Sequence, residues 1–466
     1  MKQDMIENRT FDEIQIGDSA SLERRLTLQD IKLFAVMSGD VNPAHVDEDY
    51  AKSSRFHEII AHGLWGGALI STVLGTQLPG PGTIYLNQSL SFRRPVGLGD
   101  VLTVTVTVKS KDPEKCRLLL DCRCTNQEGK TVISGEADVI APSEKIKRPR
   151  WVLPEVHLAE RVHLHRLLAA AKNHPPIRTA IVHPVDKSSL AGIVAAVEQE
   201  LIIPVLVGPE HKIRAAAEAE NIDLSPYQLI STEHSHAAAE KAVQLARAGE
   251  VQALMKGSLH TDELMHAVVA RETGLRTERR LSHVFAFDVP TYARPLFITD
   301  AAVNIYPSLT DKRDIIQNAI ELAHALGIDE PRVAILSAVE TVTPSIQSTL
   351  DAAALCKMAQ RGQISGGIID GPLAFDNAVS AEAAAIKGIV SPVAGQADIL
   401  VVPDLEAGNM LAKQLEYLGG AEGAGIVLGA RVPIILTSRA DDTITRLASC
   451  ALAVMLLRHQ QRELPL

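Results

Sequence analysis

The spacing of apolar residues differs between the two parts of the chain. In the run 101–110, Leu102, Val104, Val106 and Val108 alternate with other residues, which is typical of a β-strand with one buried face. Because only short turns separate this run from its neighbours, we expect one antiparallel sheet. Three further strand-like segments belong to it, at 83–92, 116–126 and 130–141.

Two helices are predicted before this sheet. The segment 27–39 opens with Thr27 and Asp30 at capping-box spacing and closes at Gly39, a residue that commonly ends helices. The segment 62–80 is apolar almost all round, so we expect a helix that is buried on most sides. A buried helix followed by antiparallel strands predicts an α+β domain whose sheet wraps around the helix.

Beyond residue 160, apolar runs of strand length alternate with alanine-rich helical stretches such as 236–250. This order is typical of an α/β domain with largely parallel sheet, in which ligands bind beyond the carboxyl ends of the strands. The stretch is large for one such unit, so we expect two lobes with a cleft between them. The predicted strands cover residues 179–183, 203–208, 253–257, 296–300, 332–337, 366–370, 399–404 and 432–437.

The stretch 141–160 separates the two patterns. It contains three prolines and four lysine or arginine residues, and proline restricts both itself and the preceding residue to extended conformations. The sequence therefore predicts a first domain over 1–145, a linker over 146–160 and a second domain over 161–466.

The composition excludes several classes of protein. Hydrophobic residues make up 46% of the 466, and a net charge of −10 argues against a nucleic-acid surface along the chain. The five cysteines form no CxxC pair, which argues against a disulfide framework or a zinc site. The N-terminus has no signal-peptide pattern, and no apolar run reaches membrane-spanning length. We expect a cytoplasmic protein that requires no metal ion and contacts neither nucleic acid nor membrane.

Residues 38–51 read SGDVNPAHVDEDYA and place Asp40 five positions before His45. Hydration of a double bond conjugated to a thioester needs a base for water, an acid for the α-carbon and donors for the enolate oxygen. A carboxylate and an imidazole around one water can supply the first two, and backbone amides at the helix start near Gly63 can supply the third. The alternative is that Asp40 only ends a turn and His45 lies on the surface.

The same region resembles a known family. Residues 38–51, followed by FHEIIAHGLWGGALIS at 56–71, look like the MaoC-type (R)-specific enoyl-CoA hydratases of the hotdog superfamily, over residues 10–140. The resemblance implies a hotdog fold and a homodimer or higher homo-oligomer. Which catalytic residue takes the proton from water stays open, because a coupled pair can share that role. The residues that match the family's motif are Asp40 and His45 as catalytic and Asn42, His62 and Gly63 as substrate-binding.

Two stretches of the second part place reactive side chains after predicted strands. DGPLAFDNAVS begins at residue 370 and LTSRADD begins at residue 436. A hydroxyl, a guanidinium and a carboxylate together suit acyl transfer between a thiol and phosphate. Arginine can hold phosphate, a carboxylate can deprotonate the thiol, and the hydroxyl can help to stabilise the oxyanion. The alternative for LTSRADD is a helix N-cap with solvated charges.

From residue 160 onward the sequence closely resembles phosphate acetyltransferases and phosphate butyryltransferases, most specifically over 366–442. In that family a serine–arginine pair, matching Ser438 and Arg439, works with a downstream aspartate that serves as the thiol base. Here two acids follow after a single alanine, which departs from the acetyltransferase spacing. We predict Asp442 as the base and leave Asp441 open.

Three further features of the second part bear on its substrates. Lys256 ends a predicted strand and could meet a phosphate, with a solvated surface position as the alternative, and Asp376 is predicted to bind substrate. The run 419–429 lacks a GxGxxG pattern, so it is predicted to permit close packing or backbone approach to the acyl or phosphate group rather than to bind a dinucleotide. Segments that begin at residues 253, 281 and 299 resemble the butyryl branch, which leaves the acyl specificity open.

The sequence therefore predicts a fused enzyme. The first domain would hydrate trans-2-enoyl-CoA to (R)-3-hydroxyacyl-CoA, and the second would exchange CoA and phosphate on a short acyl group. Acyl-CoA and inorganic phosphate are its predicted substrates, and no cofactor is expected. The alternative is a phosphate acyltransferase whose hotdog domain only binds acyl-CoA or mediates dimerisation.

Overall fold

The computed structural model describes residues 4–154, 156, 158, 162–436 and 442–463. The chain divides into two compact units, Met1–Leu158 and Ala159–Leu466. The point of division lies within the stretch 146–160, which the sequence predicts as a linker. Among the described residues, no helix is both long enough and apolar enough to span a bilayer.

The first unit is built on a five-stranded antiparallel sheet with strand order β2-β4-β5-β6-β3. A separate pair of short strands, β1 and β7, joins the chain start to residues within the predicted linker. The strands are β1 Met5–Glu7, β2 Ser19–Arg25, β3 Ile84–Phe92, β4 Val101–Asp112, β5 Arg117–Thr125, β6 Thr131–Ile140 and β7 Lys147–Pro149. The helices are α1 Leu28–Ser38, α2 Pro43–Val46, α3 Glu48–Ser53 and α4 Gly63–Thr76, with a 3₁₀ turn at Phe11–Glu13.

The core of this unit lies between α4 and the sheet. Leu102 and Val104 of β4 are fully buried, as their period-two spacing predicts, and they pack in one cluster with Trp65 and Ile70 of α4. This arrangement confirms the predicted hotdog fold. The expectation that α4 is buried on most sides is wrong for the single chain, because one face of the helix is exposed and Leu64 on it is 60% accessible.

The second unit contains one mixed sheet of eleven strands, in the order β10-β9-β8-β11-β18-β17-β12-β13-β16-β14-β15. The strands are β8 Ile177–Val182, β9 Ile202–Gly208, β10 Gln228–Ser231, β11 Ala253–Lys256, β12 Ser282–Asp288, β13 Leu296–Thr299, β14 Arg332–Leu336, β15 Ile368–Leu373, β16 Ile399–Val401, β17 Glu422–Leu428 and β18 Ile434–Ile435. The helices are α5 Val162–Lys172, α6 Lys187–Glu198, α7 Glu210–Ala219, α8 Ser235–Arg247, α9 Thr261–Val269, α10 Leu309–Ala325, α11 Gln347–Gln360, α12 Phe375–Val379, α13 Ala381–Ile386, α14 Leu405–Tyr417 and α15 Thr443–Glu463.

The direction of the strands divides this sheet into two halves. β8, β9, β10, β11 and β18 are parallel to one another, and β13, β14, β15 and β16 are parallel to one another. Between the halves, β17 and β12 are antiparallel to both of their neighbours, so the two halves run in opposite directions. The carboxyl ends of β8, β11 and β18 form one end of the sheet, which we call the first edge. The carboxyl ends of β13, β14, β15 and β16 form the opposite end, which we call the second edge.

Helices cover both faces of the sheet. One large apolar cluster joins the sheet to α6, α10, α11 and α15 on one face. On the other face there are two separate clusters, one with α8 and α9 over the first half and one with α12 and α14 over the second half. The largely parallel α/β architecture predicted from the sequence is therefore confirmed.

Candidate active sites

The loop after α1 fixes Asp40 and Asn42. Gly39 adopts a left-handed conformation with φ of 74°, which ends α1 and reverses the chain. The Asp40 carboxylate then accepts a hydrogen bond from the backbone N–H of Asn42 at 3.1 Å. The Asn42 side chain caps α2 by accepting from the N–H of Ala44 at 3.1 Å. Asn42, predicted to bind substrate, thus has its side-chain oxygen engaged in shaping the loop.

Two histidine rings lie against this loop. His45 Nδ1 donates to the backbone carbonyl of Ile60 at 2.8 Å, and because a carbonyl can only accept, the neutral ring keeps its lone pair on Nε2. His62 is 3% exposed, and its Nε2 donates to the backbone carbonyl of Asp40 at 3.0 Å. The two ring centroids are 4.0 Å apart. The structure thus brings together Asp40, His45 and His62, each with a ligand atom within 4.8 Å of the others.

A cavity of about 290 Å³ opens beside the two histidines. Gly63 begins α4 at its wall, where a Cβ atom would come within 3.1 Å of the Phe92 ring. The first amide groups of a helix have no acceptor within that helix and carry the positive end of its dipole. The backbone near Gly63 can therefore stabilise an oxyanion that forms in this cavity.

Basic residues around this cavity were missed in the sequence. Arg55, Arg93 and Arg94 line it, and Arg123 joins Arg93 and Arg94 around a neighbouring depression. Two of these residues, Arg93 and Arg94, directly follow the exposed end of β3. This pair of adjacent arginines could have indicated a basic site in the sequence. Guanidinium groups in this position suit the phosphates of a nucleotide-bearing thioester such as CoA.

In the second unit, Lys256 ends β11 at the first edge. The alternative of a solvated surface lysine is wrong, because the residue is 6% exposed. Gly257 follows it, and a Cβ there would come within 2.5 Å of the carbonyl oxygen of Val182, so only glycine lets the two strand ends lie this close. A cationic side chain is therefore held at the carboxyl ends of parallel strands, where ligands of such sheets bind.

A second buried cation, missed in the sequence, lies near the start of α15. Arg446 is 4% exposed and reaches across Gly192, where a Cβ would come within 2.6 Å of the arginine Cδ. Its Nη2 is 3.4 Å from the hydroxyl of Ser188, which in turn donates to the carboxylate of Asp186 at 3.0 Å. The network extends to the residues after β11, because Ser258 also donates to Asp186.

The charge of Asp186 is stabilised at this position. Burial raises the pKa of its carboxyl, but hydrogen bonds from Ser258, Ser188 and the backbone of Ser189 outweigh burial and lower the pKa below its ordinary value. The charged network therefore joins α6, the end of β11 and α15 at the first edge. Arg446 in this network and Lys256 at the end of β11 are both buried cations, and they suit an anionic substrate.

Asp442 lies at the first edge beside this network. Its carboxylate accepts a hydrogen bond from the backbone N–H of Thr445 at 2.8 Å, so it caps α15. This is the helix N-cap that the sequence analysis gives as the alternative for LTSRADD. It is exposed and lines a cavity of about 220 Å³, so one carboxylate can both cap the helix and face a ligand. Ser438, Arg439 and Asp441, predicted for the same site, lie outside the described residues.

The structure places Asp376 away from these residues. It follows β15, and five strands lie between β15 and β18. At about 4.8 Å per strand spacing, β15 and β18 are therefore about 29 Å apart. The two halves also run in opposite directions, so Asp376 lies at the second edge. There it pairs with Lys387 at 3.1 Å, and the hydrogen bond from this lysine lowers the pKa of its carboxyl. Asp376 therefore does not lie with Lys256 and Asp442, and its role in substrate binding stays a prediction.

Comparisons with known proteins agree with the division into two units. Residues 236–454 match the family model described as phosphate acetyl/butaryl transferase, and residues 13–118 match the model described as MaoC like domain. The chain is 64% identical to a phosphate acetyltransferase from Rhizobium meliloti over 290 residues, which cover 62% of this chain and 92% of the relative.

Two solved structures are also similar. A branched-chain phosphotransacylase from Enterococcus faecalis V583 is 30% identical, with a TM-score of 0.54, and the match covers 61% of this chain and 99% of that chain. The R-hydratase PhaJ1 from Pseudomonas aeruginosa in its unliganded form is 44% identical, with a TM-score of 0.33, over 33% of this chain and 99% of that chain. By its 64% identity across most of a phosphate acetyltransferase, the chain belongs to the phosphate acetyl/butyryl transferase family, and it carries a MaoC-like domain before the transferase region.

Proposed function

We propose that the second unit transfers an acetyl group between CoA and inorganic phosphate. The observation that carries the proposal is the presence of two buried cations, Lys256 and Arg446, at the first edge of the sheet. Both lie in the region whose sequence matches the family. A phosphate oxygen attacks the thioester carbon, the carbon–sulfur bond breaks, and CoA leaves as a thiolate that takes up a proton. In the reverse direction Asp442 accepts the thiol proton, with Asp441 as the open alternative.

The acetyl group is favoured by the degree of identity. The relative that is 64% identical is named a phosphate acetyltransferase, whereas the branched-chain phosphotransacylase is 30% identical. The segments that resemble the butyryl branch leave room for longer acyl groups as additional substrates. Ser438 and Arg439 stay as predicted partners of the oxyanion and the phosphate.

We further propose that the first unit hydrates trans-2-enoyl-CoA. The observation that carries this proposal is the close group of Asp40, His45 and His62. It lies beside the cavity at whose wall α4 begins. The Asp40 carboxylate and the lone pair of His45 Nε2 would hold one water between them. The water oxygen bonds to the β-carbon, one of its protons goes to the α-carbon through the pair, and the amide near Gly63 stabilises the enolate oxygen.

The arginines at the cavity would bind the CoA phosphates. Neither of the two proposed reactions requires a metal or a redox cofactor.

We propose a homodimer through the exposed face of α4 and the edge strand β3, where Leu64, Leu86 and Phe92 are 45–60% accessible. Water-facing leucine and phenylalanine side chains on an edge strand favour pairing with a second copy.

The test of both activities uses the whole chain. With crotonyl-CoA, we expect loss of enoyl absorbance for the parent and a loss of about a hundredfold or more in kcat for Asp40→Asn, as for removal of a general base. Asp49→Asn, which changes an exposed aspartate of α3, is the matched control. Phosphate-dependent release of CoA from acetyl-CoA is measured on the same samples. If acetyl transfer persists while no enoyl-CoA is hydrated, the first unit only binds acyl-CoA or mediates dimerisation.

A further inference from the structure

Both histidines beside the cavity of the first unit keep a nitrogen lone pair. His45 Nδ1 donates to the carbonyl of Ile60, so the lone pair of this ring lies on Nε2. His62 Nε2 donates to the carbonyl of Asp40, so the lone pair of this ring lies on Nδ1. His62 Nδ1 is buried, and among the described residues it has no hydrogen-bond partner. A buried polar atom without a partner costs free energy, which a ligand at this position would recover.

The hydrogen bonds of the two rings are those of metal-binding histidines. A histidine that binds a metal ion commonly donates its other N–H to a carbonyl or carboxylate, and this bond fixes the tautomer and orients the ring. Here both rings make such a bond, at 2.8 Å for His45 and 3.0 Å for His62. The carboxylate of Asp40 adds a third ligand. Two imidazoles and a carboxylate suit divalent transition metals, whereas Mg²⁺ and Ca²⁺ prefer oxygen ligands.

The separations within this group suit one ion. Asp40, His45 and His62 each offer a ligand atom within 4.8 Å of the others. Two atoms that bind one zinc ion at about 2.1 Å are at most about 4.2 Å apart, so even the widest separation allowed here closes with a movement of about 0.6 Å. Asp40 is exposed, and rotation of its side chain can supply this movement.

The local charge permits a cation beside the arginines of the cavity. Arg55, Arg93 and Arg94 line the cavity, and alone they would repel a positive ion. The stretch 38–51, which supplies Asp40 and His45, contains four acidic residues and no lysine or arginine. Its negative charge offsets the repulsion from the arginines.

We propose that Zn²⁺ binds His45 Nε2, His62 Nδ1 and the Asp40 carboxylate, and that the bound ion inhibits hydration of enoyl-CoA. The inhibition rests on the proposed hydration, but the binding of the ion does not. In the proposed reaction the Asp40 carboxylate and the His45 lone pair move the proton of water. A bound ion occupies both of these groups, so no base remains for the water. Coordination is reversible, and removal of the ion restores the site.

The first measurement is metal binding by the full chain, with Co²⁺ as a spectroscopic substitute for Zn²⁺. The visible absorption of Co²⁺ changes when imidazole and carboxylate replace water, and Zn²⁺ should displace the bound Co²⁺. His62→Gln keeps a donor for the Asp40 carbonyl and lacks the imidazole, so its affinity for Co²⁺ should fall about tenfold or more. His57→Gln makes the same change at an exposed histidine of the first unit and is the matched control. Asp40→Asn retains both imidazoles and should lose affinity by a similar factor.

The second measurement is hydration of crotonyl-CoA at increasing Zn²⁺, with each rate divided by that of the same protein without metal. We expect parent and His57→Gln to be inhibited at the same Zn²⁺ concentration, and a chelator to restore the rate. His62→Gln should need at least about ten times more Zn²⁺ for the same inhibition. Mg²⁺ should not inhibit, because it prefers oxygen ligands.

The two measurements separate the metal site from the proposed hydration. Co²⁺ affinities of His62→Gln and Asp40→Asn equal to that of the parent would overturn the site. Inhibition by Mg²⁺ as strong as that by Zn²⁺, or a rate that rises with Zn²⁺, would overturn the inhibition. If the parent binds Co²⁺ through His62 and Asp40 but hydrates no enoyl-CoA, the metal site is supported and the proposed hydration fails.

Discussion

The imidazole of His62 lies 4.0 Å from that of His45, centroid to centroid, and its Nε2 holds the backbone carbonyl of Asp40. One buried ring thus contacts both members of the proposed catalytic pair. Within the described part of the chain, the other nitrogen of His62 has no hydrogen-bond partner. A buried histidine in this arrangement can set the distance between an acid and an imidazole.

His62 is expected to be a positioning residue of the hydratase site. In His62→Leu the donor to the Asp40 carbonyl is lost, so kcat for crotonyl-CoA should fall at least about tenfold while KM stays within about twofold, since misplaced groups slow the reaction step. His62→Gln retains a donor of similar reach and should recover most of kcat. Steady-state kinetics of the two variants measure the effects on kcat and on KM separately. Equal loss in both variants, or a rise in KM alone, would contradict the positioning role.

The exposed face of α4 is expected to be a subunit interface. Leu64→Asp places a charge on this face, where burial of a leucine stabilises an association by about 1.5–3 kcal/mol per copy. We expect its mass by light scattering after size-exclusion chromatography to fall toward that of one chain. Ile16→Asp changes a residue of the same unit that is equally accessible, at 65%, and should leave the mass unchanged. An unaltered mass in Leu64→Asp would place the interface elsewhere.

Local features of the fold could be predicted from the sequence because short-range physics decides them. Thr27 and Asp30 form the predicted capping box, and Gly39 ends α1 in the left-handed conformation. The alternation around Val104 and Val106 defines a buried strand face directly. These predictions depend on hydrogen bonds and burial within a few residues of one another.

Features that depend on strand order could not be predicted. The run around Gly423 and Gly425 has no strand pattern, because its glycines contribute no side chains and are paired with phenylalanines of a distant strand. Asp376 follows a strand just as Asp442 does, and both the order of the strands and the reversed direction of the second half of the sheet separate them. The apolar sequence of α4 does not show that one of its faces lacks a partner within the chain.

Lys256 is expected to bind the phosphate substrate. Lys256→Met keeps the length of the side chain and removes its charge, so kcat/KM for phosphate should fall about a hundredfold, as when a preorganised charge is lost. Lys212→Met, on the exposed surface of α7, is the matched control. The rate of CoA release from acetyl-CoA is measured as a function of phosphate concentration. An unchanged KM for phosphate in a folded Lys256→Met protein would assign phosphate binding to other residues.

His283 is expected to make the second unit sensitive to acid. It is 1% exposed on β12, and burial lowers the pKa of its imidazole to about 3, whereas the unfolded chain titrates near 6.5. Between these values the unfolded state binds one more proton, so the free energy of unfolding falls as the pH falls, by about 1.4 kcal/mol per pH unit. The stabilisation is complete above pH 6.5 and is lost progressively on acidification.

The test replaces this imidazole with a group that does not titrate. We expect His283→Leu to lose less stability than the parent between pH 6.5 and 5. Thermal denaturation at several pH values measures the difference, with His165→Leu, at an exposed position of α5, as the matched control. Parallel stability profiles for parent and His283→Leu would show that His283 is not the acid-sensitive group.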